Sequence, residues 1–535
     1  MNDFRVKINR SSTPTKFSFA QPFNVAVPFI DNHLEEGREE KVAIQCGDET
    51  VTFGQLAERV NRCGNALLGQ GLVPGDRLMM VLKDTPAFFY LFWGAIKAGI
   101  VPVPTNTLLR SDDYAFMTEK TKCRGICYSW EYQTEVGPAL KKVIHRPDTV
   151  LIEGSIDSEL PTLQSVMDAA SPDLAPFPTT AKDDCFWLFS SGSTGKPKAV
   201  VHRHCDMVVT SELYGVSCLR ISQEDRFYSA AKLFFAYGLG NAMTLPLWIG
   251  GTTVLDSRKP TPETTFENIG RHRPSLYFGV PTLYSALLNA YETLSPKPDL
   301  SSLRECVSAG EALPADILRR WQETIGTDIL DGIGSTEALH IFITNLPGKV
   351  VPGASGCVVP GYNAKILNDR DQPTELGSIG RLLIKGPSIA RCYWEDPEET
   401  SKTMKGEWLE TGDTYFQNKD GVFIYCGRND DMIKVGGIWC SPFEIESKLM
   451  EHPAVLEAAV VGEKDAVGLV KPAAYIVLKD STGASDKLKS ELTSFVKSSL
   501  AKYKFPRRIS FVASLPKTAT GKIQRFKLRK RELSA

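Results

Sequence analysis

A loop rich in serine, glycine and lysine separates two apolar runs and limits how the middle of the chain can fold. The loop consists of Ser190, Ser191, Gly192, Ser193, Thr194, Gly195 and Lys196. Glycine lets the backbone turn and approach a ligand closely, while hydroxyl, backbone N–H and ammonium groups can cradle phosphate oxygens. The loop lies between residues 186–189 and 199–201, and the second of these apolar runs favours a strand. The loop is therefore either a phosphate-binding loop or an ordinary surface turn.

The spacing differs from that of the Walker A phosphate loop, which reads G-x-x-x-x-G-K-[ST] and leads into a helix. Gly192 and Gly195 lie too close together, and Pro197 follows Lys196 where Ser or Thr should stand. The residues after the loop predict a strand instead of a helix. These differences argue against the phosphate loop of a P-loop nucleotide phosphotransferase.

Size and charge narrow the class of protein. The chain has 535 residues, and single cores stop growing near about 250–300 residues, so we expect more than one domain. The net charge of −1 gives no electrostatic reason to expect a nucleic-acid partner. The most apolar run, residues 87–96, is too short to span a bilayer, so no membrane insertion is expected. The polar start and scattered cysteines without a CxxC pair favour reduced thiols and a cytoplasmic location.

Strand and helix patterns alternate along much of the chain, which predicts the α/β class with mostly parallel sheets covered by helices. In the first part, the predicted strands are residues 51–53, 77–82 and 100–103, and the predicted helices are residues 54–68 and 87–98. The α/β pattern returns over residues 226–345. Residues 157–182 are rich in Pro, Ala, Ser and Thr, and we expect a long surface connection there.

The last third of the chain changes character twice. Short alternating strands with Gly, Pro, Asn and Asp turns over residues 361–386 predict a small β subdomain. Helix patterns at 441–451 and 487–500, and strand patterns at 455–461 and 473–477, then predict a separate small α/β unit.

Five further segments follow the loop in a fixed order. They are Ser308–Glu311, Asp331–Glu337, Glu410–Asp413, Gly427–Lys434 and Pro516–Ile523. Together with the loop they closely resemble the adenylate-forming superfamily, which contains acyl- and aryl-CoA ligases, firefly luciferase and nonribosomal-peptide adenylation domains. The resemblance covers nearly the whole chain. It implies a large N-terminal domain, residues 1–429, a hinge at Asp430, and a small mobile α+β C-terminal domain, residues 430–535.

The chemistry of this family explains why cations and oriented donors are needed. Joining a carboxylate to AMP brings two anions together, so positive charge must lie where negative charge builds up. The resemblance implies ATP, Mg²⁺ and coenzyme A as cofactors and co-substrates. It gives Lys522 as the cation that bridges the carboxylate and the α-phosphate, Glu337 as the Mg²⁺ contact and Thr336 as a phosphate contact. The alternatives are a solvated lysine in a basic tail and an acidic residue at a helix N-terminus.

The resemblance also assigns nucleotide contacts. Asp413 matches the carboxylate that binds both ribose hydroxyls, and Arg428 matches a second ribose contact; the alternative is a Gly-Asp turn with a surface arginine. The expected neighbours of adenine are Ala309, Gly310, Glu311, Asp331, Gly332 and Ile333. Ile333 stands where many members carry an aromatic residue, and Ala199 stands where the family usually has glycine.

The small domain is expected to serve both half-reactions. Asp430 matches the hinge, which would rotate this domain from an adenylating to a thioester-forming pose. A simple turn aspartate is the alternative. Gly436 and Gly437 match the segment that the family places beside the pantetheine tunnel of coenzyme A.

The acyl site most resembles that of benzoate-CoA ligases. Its expected residues are Phe235, Ala236, Tyr237, Gly238, Gly334, His340 and Ile341. Flat apolar walls suit an aryl ring. Two hypotheses remain for His340: it hydrogen-bonds a ring substituent, or it is a satisfied histidine bordering the pocket. His202 and His204 lack a third ligand nearby in sequence, so zinc binding is not expected.

The sequence thus predicts an AMP-forming aryl-CoA ligase whose partners are an aromatic carboxylic acid, ATP and CoA. Benzoate is the first expectation for the acid, with 4-hydroxybenzoate and 2-aminobenzoate as alternatives. Three other functions stay open: an adenylation enzyme that loads a carrier-protein thiol, an inactive nucleotide-binding scaffold and a phosphotransferase. A homodimer is one option for the oligomeric state.

Overall fold

The computed structural model describes residues 4–154, 159–191, 197–435, 438–465, 469–501, 503–517 and 523–529. Within these ranges the strands are Val6–Asn9 (β1), Lys16–Phe19 (β2), Val42–Cys46 (β3), Glu49–Thr52 (β4), Arg77–Val81 (β5), Val101–Pro104 (β6), Gly125–Ser129 (β7), Thr149–Glu153 (β8), Asp184–Ser191 (β9), Pro197–Arg203 (β10), Arg226–Ser229 (β11), Thr252–Leu255 (β12), Leu276–Gly279 (β13), Glu305–Ser308 (β14), Ile329–Gly334 (β15), Ile341–Thr344 (β16), Cys357–Val358 (β17), Asn363–Leu367 (β18), Gly380–Lys385 (β19), Cys392–Tyr393 (β20), Met404–Lys405 (β21), Trp408–Gln417 (β22), Phe423–Arg428 (β23), Ile433–Val435 (β24), Ile438–Cys440 (β25), Val455–Lys464 (β26), Val470–Leu478 (β27) and Arg508–Phe511 (β28).

The α-helices in the same ranges are Asn32–Glu35 (α1), Phe53–Gly69 (α2), Pro86–Lys97 (α3), Ser111–Thr121 (α4), Gln133–Lys142 (α5), Leu163–Asp168 (α6), His204–Thr210 (α7), Ala236–Leu239 (α8), Leu245–Ile249 (α9), Pro262–His272 (α10), Pro281–Thr293 (α11), Ala315–Ile325 (α12), Pro397–Thr403 (α13), Pro442–Met450 (α14), Asp486–Ser499 (α15) and Arg525–Arg529 (α16). Two π-helical segments, Ser211–Val216 and Gly240–Thr244, extend α7 and α8, and short 3₁₀ turns span Thr336–Ala338 and Asn429–Asp431.

Mostly parallel sheets form the large part of the molecule. The largest sheet has the strand order β17-β16-β15-β14-β13-β11-β12-β3-β4, and its strands from β15 to β3 run parallel. A second sheet, β6-β5-β7-β8, is parallel throughout. Parallel strands bring their carboxyl ends to one edge of a sheet, where ligands of α/β proteins bind.

Helix α2 shows how local sequence produces these elements. Thr52 caps the helix by accepting from the Gln55 N–H, and the Gln55 side chain accepts from the Thr52 N–H in return. Leu56, Val60 and Leu67 lie on one helical face and are buried. The expected helix over residues 54–68 is confirmed, as are the strands on either side of it.

The small β subdomain is also present. Strands β18, β19, β22 and β21 follow one another in an antiparallel sheet, and β23 pairs with β22. The long surface connection over residues 157–182 is only partly correct, since α6 forms inside it and buries Leu163 and Met167. A helix is predicted from apolar residues that repeat with the helical period. Two apolar residues in so short a helix, surrounded by Pro, Ala and Ser, do not establish that period.

The C-terminal region has its own core. Strands β26, β27 and β28 form a mixed sheet, and α14 and α15 pack Ile445, Leu449, Leu492 and Val496 against it. The fold therefore has the expected large α/β part and small α+β part, and the boundary at residue 430 stays a prediction. Among the described residues, no helix has the length and apolar character needed to cross a membrane. All twelve cysteines are free thiols.

Candidate active site

The strands on either side of the Ser/Gly/Lys loop form an antiparallel pair. Strand β9 ends at Ser191 and β10 begins at Pro197, with Ser191 opposite Pro197 and Ser190 opposite Lys198. The strand predicted after the loop is therefore confirmed, and Ala199 fits within it as a buried strand residue. Gly192, Ser193, Thr194, Gly195 and Lys196 lie outside the described residues.

Glu337 lies beside the end of β9 that leads into the loop. Its Oε1 accepts two hydrogen bonds of 2.9 Å, from Ser190 Oγ and from Tyr393 Oη. Its Oε2 accepts no hydrogen bond from the described residues. The loop stem and the acidic residue of the Asp331–Glu337 segment are thus brought together, although 147 positions separate Ser190 and Glu337.

Thr336 is held by a buried histidine. His202 on β10 contacts the Thr336 carbonyl through Nε2 at 2.8 Å, and its Nδ1 lies 3.1 Å from Asp206 Oδ2. His204 accepts from the Val25 N–H through Nδ1 at 3.2 Å. Each histidine has a protein partner, and the described residues contain no cluster of three or more His, Cys, Asp or Glu side chains suited to a metal.

The expected adenine segments meet at the carboxyl ends of β14 and β15. Ala309, Gly310 and Glu311 follow β14 directly, while Asp331, Gly332 and Ile333 belong to the neighbouring parallel strand β15. Asp331 is buried, and its Oδ2 accepts from the Leu313 N–H at 3.4 Å. Burial raises the pKa of the Asp331 carboxyl well above its ordinary value. Its Oδ1 is buried without a hydrogen-bond partner among the described residues.

Asp413 and Arg428 face each other on adjacent strands. They are cross-strand partners on β22 and β23, and Arg428 Nη1 donates to Asp413 Oδ1 at 3.0 Å. The Asp413 charge raises the pKa of the Arg428 guanidinium. Gly412 has φ +75°, and a Cβ there would lie 2.5 Å from Arg428 Nη2, so the arginine needs glycine at this position.

His340, which the sequence predicts for the acyl site, is buried. Its Nε2 lies 3.1 Å from Asn241 Oδ1, a carbonyl oxygen that can only accept, so Nε2 carries the proton. Its Nδ1 has no hydrogen-bond partner among the described residues. Burial lowers the pKa of His340 to about 3, and the ring is therefore neutral near pH 7. The Tyr214 ring lies 4.9 Å from it, centroid to centroid.

The other residues predicted for the acyl site include two aromatic side chains. Tyr237 donates to the carbonyls of Gly279 and Val307, both 3.2 Å away, at the ends of β13 and β14. The rings of Phe235 and Phe234 pack together with their centroids 4.4 Å apart. Phe235 precedes α8, which begins with Ala236. The remaining predicted residues lie on three elements: Gly238 in α8, Gly334 in β15 and Ile341 in β16.

Two of these positions require glycine because another stretch of backbone passes close to them. A Cβ on Gly238 would lie 2.1 Å from the Lys232 carbonyl oxygen, and one on Gly334 would lie 2.6 Å from the His340 carbonyl oxygen. Gly334 also stands opposite Ile341 at an irregular position of the β15–β16 ladder. The intervening turn contains Thr336, Glu337 and His340.

The predicted hinge lies in the turn after β23. Arg529 of α16 donates to the Asp430 carbonyl at 3.4 Å and to Asp431 Oδ1 at 2.7 Å. Lys522, Gly436 and Gly437 lie outside the described residues, so their assignments stay predictions.

Comparison with known proteins decides the family. A model described as "AMP-binding enzyme" matches residues 31–394, and one described as "AMP-binding enzyme C-terminal domain" matches residues 444–522. The chain belongs to the AMP-binding enzyme family.

Relatives of this AMP-binding enzyme resemble it over almost their full length. A benzoate–CoA ligase of Thauera aromatica is 47% identical over 97% of this chain and 98% of its own. A 4-hydroxybenzoate–CoA/benzoate–CoA ligase of Rhodopseudomonas palustris is 44% identical over 96% of this chain and 94% of its own. The crystal structure of a benzoate CoA ligase from Burkholderia xenovorans superimposes with a TM-score of 0.87 at 42% identity, covering 95% of this chain and 100% of that one.

Several side chains that sequence reasoning did not assign contact the predicted site residues. Tyr214 and Asn241 surround His340, and both lie on π-helical segments, which are frequent at functional sites. Tyr393 contacts Glu337, and His202 contacts Thr336. The spacing of apolar residues does not predict a π-helix, so no pattern in the sequence assigns Tyr214 or Asn241. Tyr393 lies outside the five segments that resemble the family, so it was not assigned either.

Proposed function

We propose that this AMP-binding enzyme is an AMP-forming aryl-CoA ligase acting on benzoate. The observation that carries the proposal is the position of the acyl wall. Tyr237, Gly334 and His340 lie beside Asp331 and Glu337 at one edge of the main sheet. An aryl carboxylate held by this wall would present its carboxyl group toward the nucleotide. The near full-length similarity to benzoate–CoA ligases supports this choice of acid.

The reaction has two steps. In the first, a carboxylate oxygen attacks the α-phosphorus of ATP, and pyrophosphate leaves. In the second, the thiolate of CoA attacks the acyl carbon, the bond to AMP breaks, and the thioester forms. We assign Lys522 to the bridge between carboxylate and α-phosphate and residues 190–196 to the departing β- and γ-phosphates. Asp413 and Arg428 bind the ribose, and the Asp331 carboxyl faces the adenine edge.

The described residues fit a magnesium ion at Glu337. Mg²⁺ is held in proteins by one or two carboxylates together with phosphate oxygens and water. Glu337 offers one oxygen, Oε2, that is not committed to a described residue, while Oε1 is held by Ser190 and Tyr393. When bound, the ion would neutralise phosphate charge. Thr336, placed by His202, is assigned to a phosphate oxygen.

The hinge at Asp430 and the domain limits 1–429 and 430–535 belong to the same proposal. Rotation about Asp430 would bring Gly436 and Gly437 beside the pantetheine arm for thioester formation. A cytoplasmic location and a homodimer are further parts of it.

One observation favours a second substrate, 4-hydroxybenzoate. The buried Nδ1 of His340 is an acceptor without a partner among the described residues, and a ring hydroxyl is a donor that would satisfy it. Pockets that hold an unsubstituted ring reject an added hydroxyl weakly. We therefore expect benzoate to be preferred and hydroxybenzoate to be accepted.

A substrate panel tests the proposal. Benzoate, 4-hydroxybenzoate, 2-aminobenzoate and acetate are each incubated with ATP, Mg²⁺ and CoA, and AMP and the CoA thioester are measured. We expect equal amounts of AMP and benzoyl-CoA, with the highest kcat/KM for benzoate. Faster turnover of acetate than of every aromatic acid would contradict the aryl assignment. ADP as the product would indicate a phosphotransferase. Absence of AMP release would indicate an inactive nucleotide-binding scaffold. Turnover that requires an acyl carrier protein would indicate an enzyme that loads a carrier-protein thiol.

A further inference from the structure

One short segment holds Glu337 at two points. The Ala390 N–H donates to the Glu337 carbonyl oxygen at 2.8 Å, and three residues later the Tyr393 hydroxyl donates to Glu337 Oε1 at 2.9 Å. The backbone and the carboxylate of Glu337 are therefore placed by the same stretch of chain.

This segment is joined to the strand that leaves the phosphate loop. Tyr393 lies opposite Val200 in the pairing of β20 with β10, and the Trp394 N–H donates to the Ala199 carbonyl at 2.8 Å. Ser190, at the end of the entering strand, contributes the other hydrogen bond to Oε1. Both stems of the loop are thus connected to one carboxylate oxygen.

Lys198 fixes the ring of Tyr393. Its Nζ lies 5.2 Å from the ring centroid and forms an ion pair with Glu399, and the lysine side chain is only 10% exposed. A buried cation near an aromatic face is stabilising.

We propose that Tyr393 is a positioning residue for adenylation: with Ser190 it holds Oε1 of Glu337 and leaves Oε2 for the metal that accompanies ATP. This inference rests on the proposed role of Glu337. In this proposal the segment around Tyr393 connects the Glu337 carboxylate to the two strands that flank the phosphate loop. The sequence motifs do not assign this role.

The test is Tyr393→Phe, which removes the hydroxyl and keeps the ring beside Lys198. The first measurement is Mn²⁺ binding by electron paramagnetic resonance, with benzoate and an ATP analogue that carries a methylene group between the α- and β-phosphorus atoms, so that the bond broken in adenylation stays intact and no turnover is involved. Loss of one of two hydrogen bonds to a charged group should weaken the apparent Mn²⁺ affinity about tenfold. The rate of ATP–pyrophosphate exchange should need a correspondingly higher Mg²⁺ concentration.

The matched control is Tyr114→Phe. It removes another buried phenol, whose hydroxyl donates to the Asn106 carbonyl at 2.9 Å and makes no contact with Glu337. Its Mn²⁺ affinity should stay within about twofold of the wild type, the scatter expected for an independent site. Thioester formation from supplied benzoyl-AMP, measured for both variants, reports whether each still folds.

A double-mutant cycle separates positioning from a general structural effect. In a Glu337→Gln background, Tyr393→Phe should cause no further loss of Mn²⁺ affinity. The inference is wrong if the two substitutions lower the Mn²⁺ affinity additively. It is also wrong if Tyr393→Phe keeps the wild-type Mn²⁺ affinity while Glu337→Gln loses affinity. Neither result contradicts the proposed function. Wild-type affinity in Glu337→Gln itself overturns the metal role of Glu337 and the inference with it.

Ser190→Ala keeps the idea testable if Tyr393→Phe fails to fold. Its hydroxyl donates to the same oxygen, so we expect a loss of Mn²⁺ affinity at least as large as in Tyr393→Phe. Full retention of Mn²⁺ affinity in Ser190→Ala would show that holding Oε1 does not serve the metal.

Discussion

Arg428 Nη1 donates to Asp413 Oδ1 at 3.0 Å across the paired strands β22 and β23. The second carboxylate oxygen accepts no hydrogen bond from any described residue. The arginine therefore fixes the orientation of the Asp413 carboxylate and leaves one oxygen for donors on a ligand, which suits the hydroxyls of a ribose.

Asp413→Asn should raise the KM for ATP by about 10- to 100-fold, because hydrogen bonds to a charged acceptor contribute roughly 1.5–3 kcal/mol. The amide also leaves the Arg428 guanidinium without its carboxylate partner. Steady-state kinetics with varied ATP measures the effect. The exposed Asp420, in the turn of the same hairpin, provides the control Asp420→Asn. An unchanged KM for ATP in Asp413→Asn would remove this residue from the nucleotide site.

The contact between Gly240 and the His340 ring gives a prediction for the acyl pocket. A Cβ at Gly240 would lie 2.1 Å from His340 Cδ2, so Gly240→Ala should displace the ring and cost about 1–3 kcal/mol of folding free energy. We expect at least a tenfold rise in the KM for benzoate and a lower Tm. Gly270→Ala, in α10 with open space around its Cβ, is the control; it should leave the KM for benzoate unchanged and should not lower the Tm. Normal benzoate kinetics in Gly240→Ala would place the substrate away from His340.

The sequence predicts the fold class well because its signals are local. The capping pair Thr52 and Gln55 and the apolar face of α2 act within one helix, and the structure has that helix almost where the period puts it. The short helix α6 was missed because two buried residues, Leu163 and Met167, do not establish a period.

The partners of the site residues were not predictable in the same way. Asn241 lies 99 positions before His340, and Tyr393 lies 56 positions after Glu337. Such contacts depend on the order of strands in the sheets and on π-helical turns, which no local pattern specifies. Motif resemblance could propose which residues form the site, while the contacts that hold them required the three-dimensional structure.

Buried histidines predict how stability depends on pH. Burial lowers the pKa of His204 to about 4 in the folded state, whereas an unfolded histidine has a pKa near about 6.5. Below that value the unfolded state binds the extra proton, so stability falls as the pH drops from about 6.5 toward 4, by roughly 2 kcal/mol at pH 5. Asp84, whose pKa burial raises to about 6, titrates in the opposite sense over the same range.

The prediction therefore compares how the unfolding free energy of a His204 variant and of the wild type depends on pH. His204→Gln should flatten the decline of unfolding free energy between pH 7 and pH 5, measured by urea denaturation, by roughly 2 kcal/mol. The exposed His145 supplies the control His145→Gln, which should keep the wild-type slope. Equal slopes in all three proteins would mean that His204 takes up a proton in the folded state.

The sharpest division between the two half-reactions is expected at Lys522. Lys522→Ala should abolish ATP–pyrophosphate exchange, because the carboxylate and the α-phosphate would approach each other without a bridging cation. Thioester formation from supplied benzoyl-AMP and CoA should continue, since that step has no such pair of anions to join. Lys517→Ala is the matched control: this nearby lysine pairs with Glu457 at 2.7 Å, so its loss should leave both half-reactions near wild-type rates. Normal exchange in Lys522→Ala would assign the bridging charge to another residue, and loss of both half-reactions would give Lys522 a role outside adenylation.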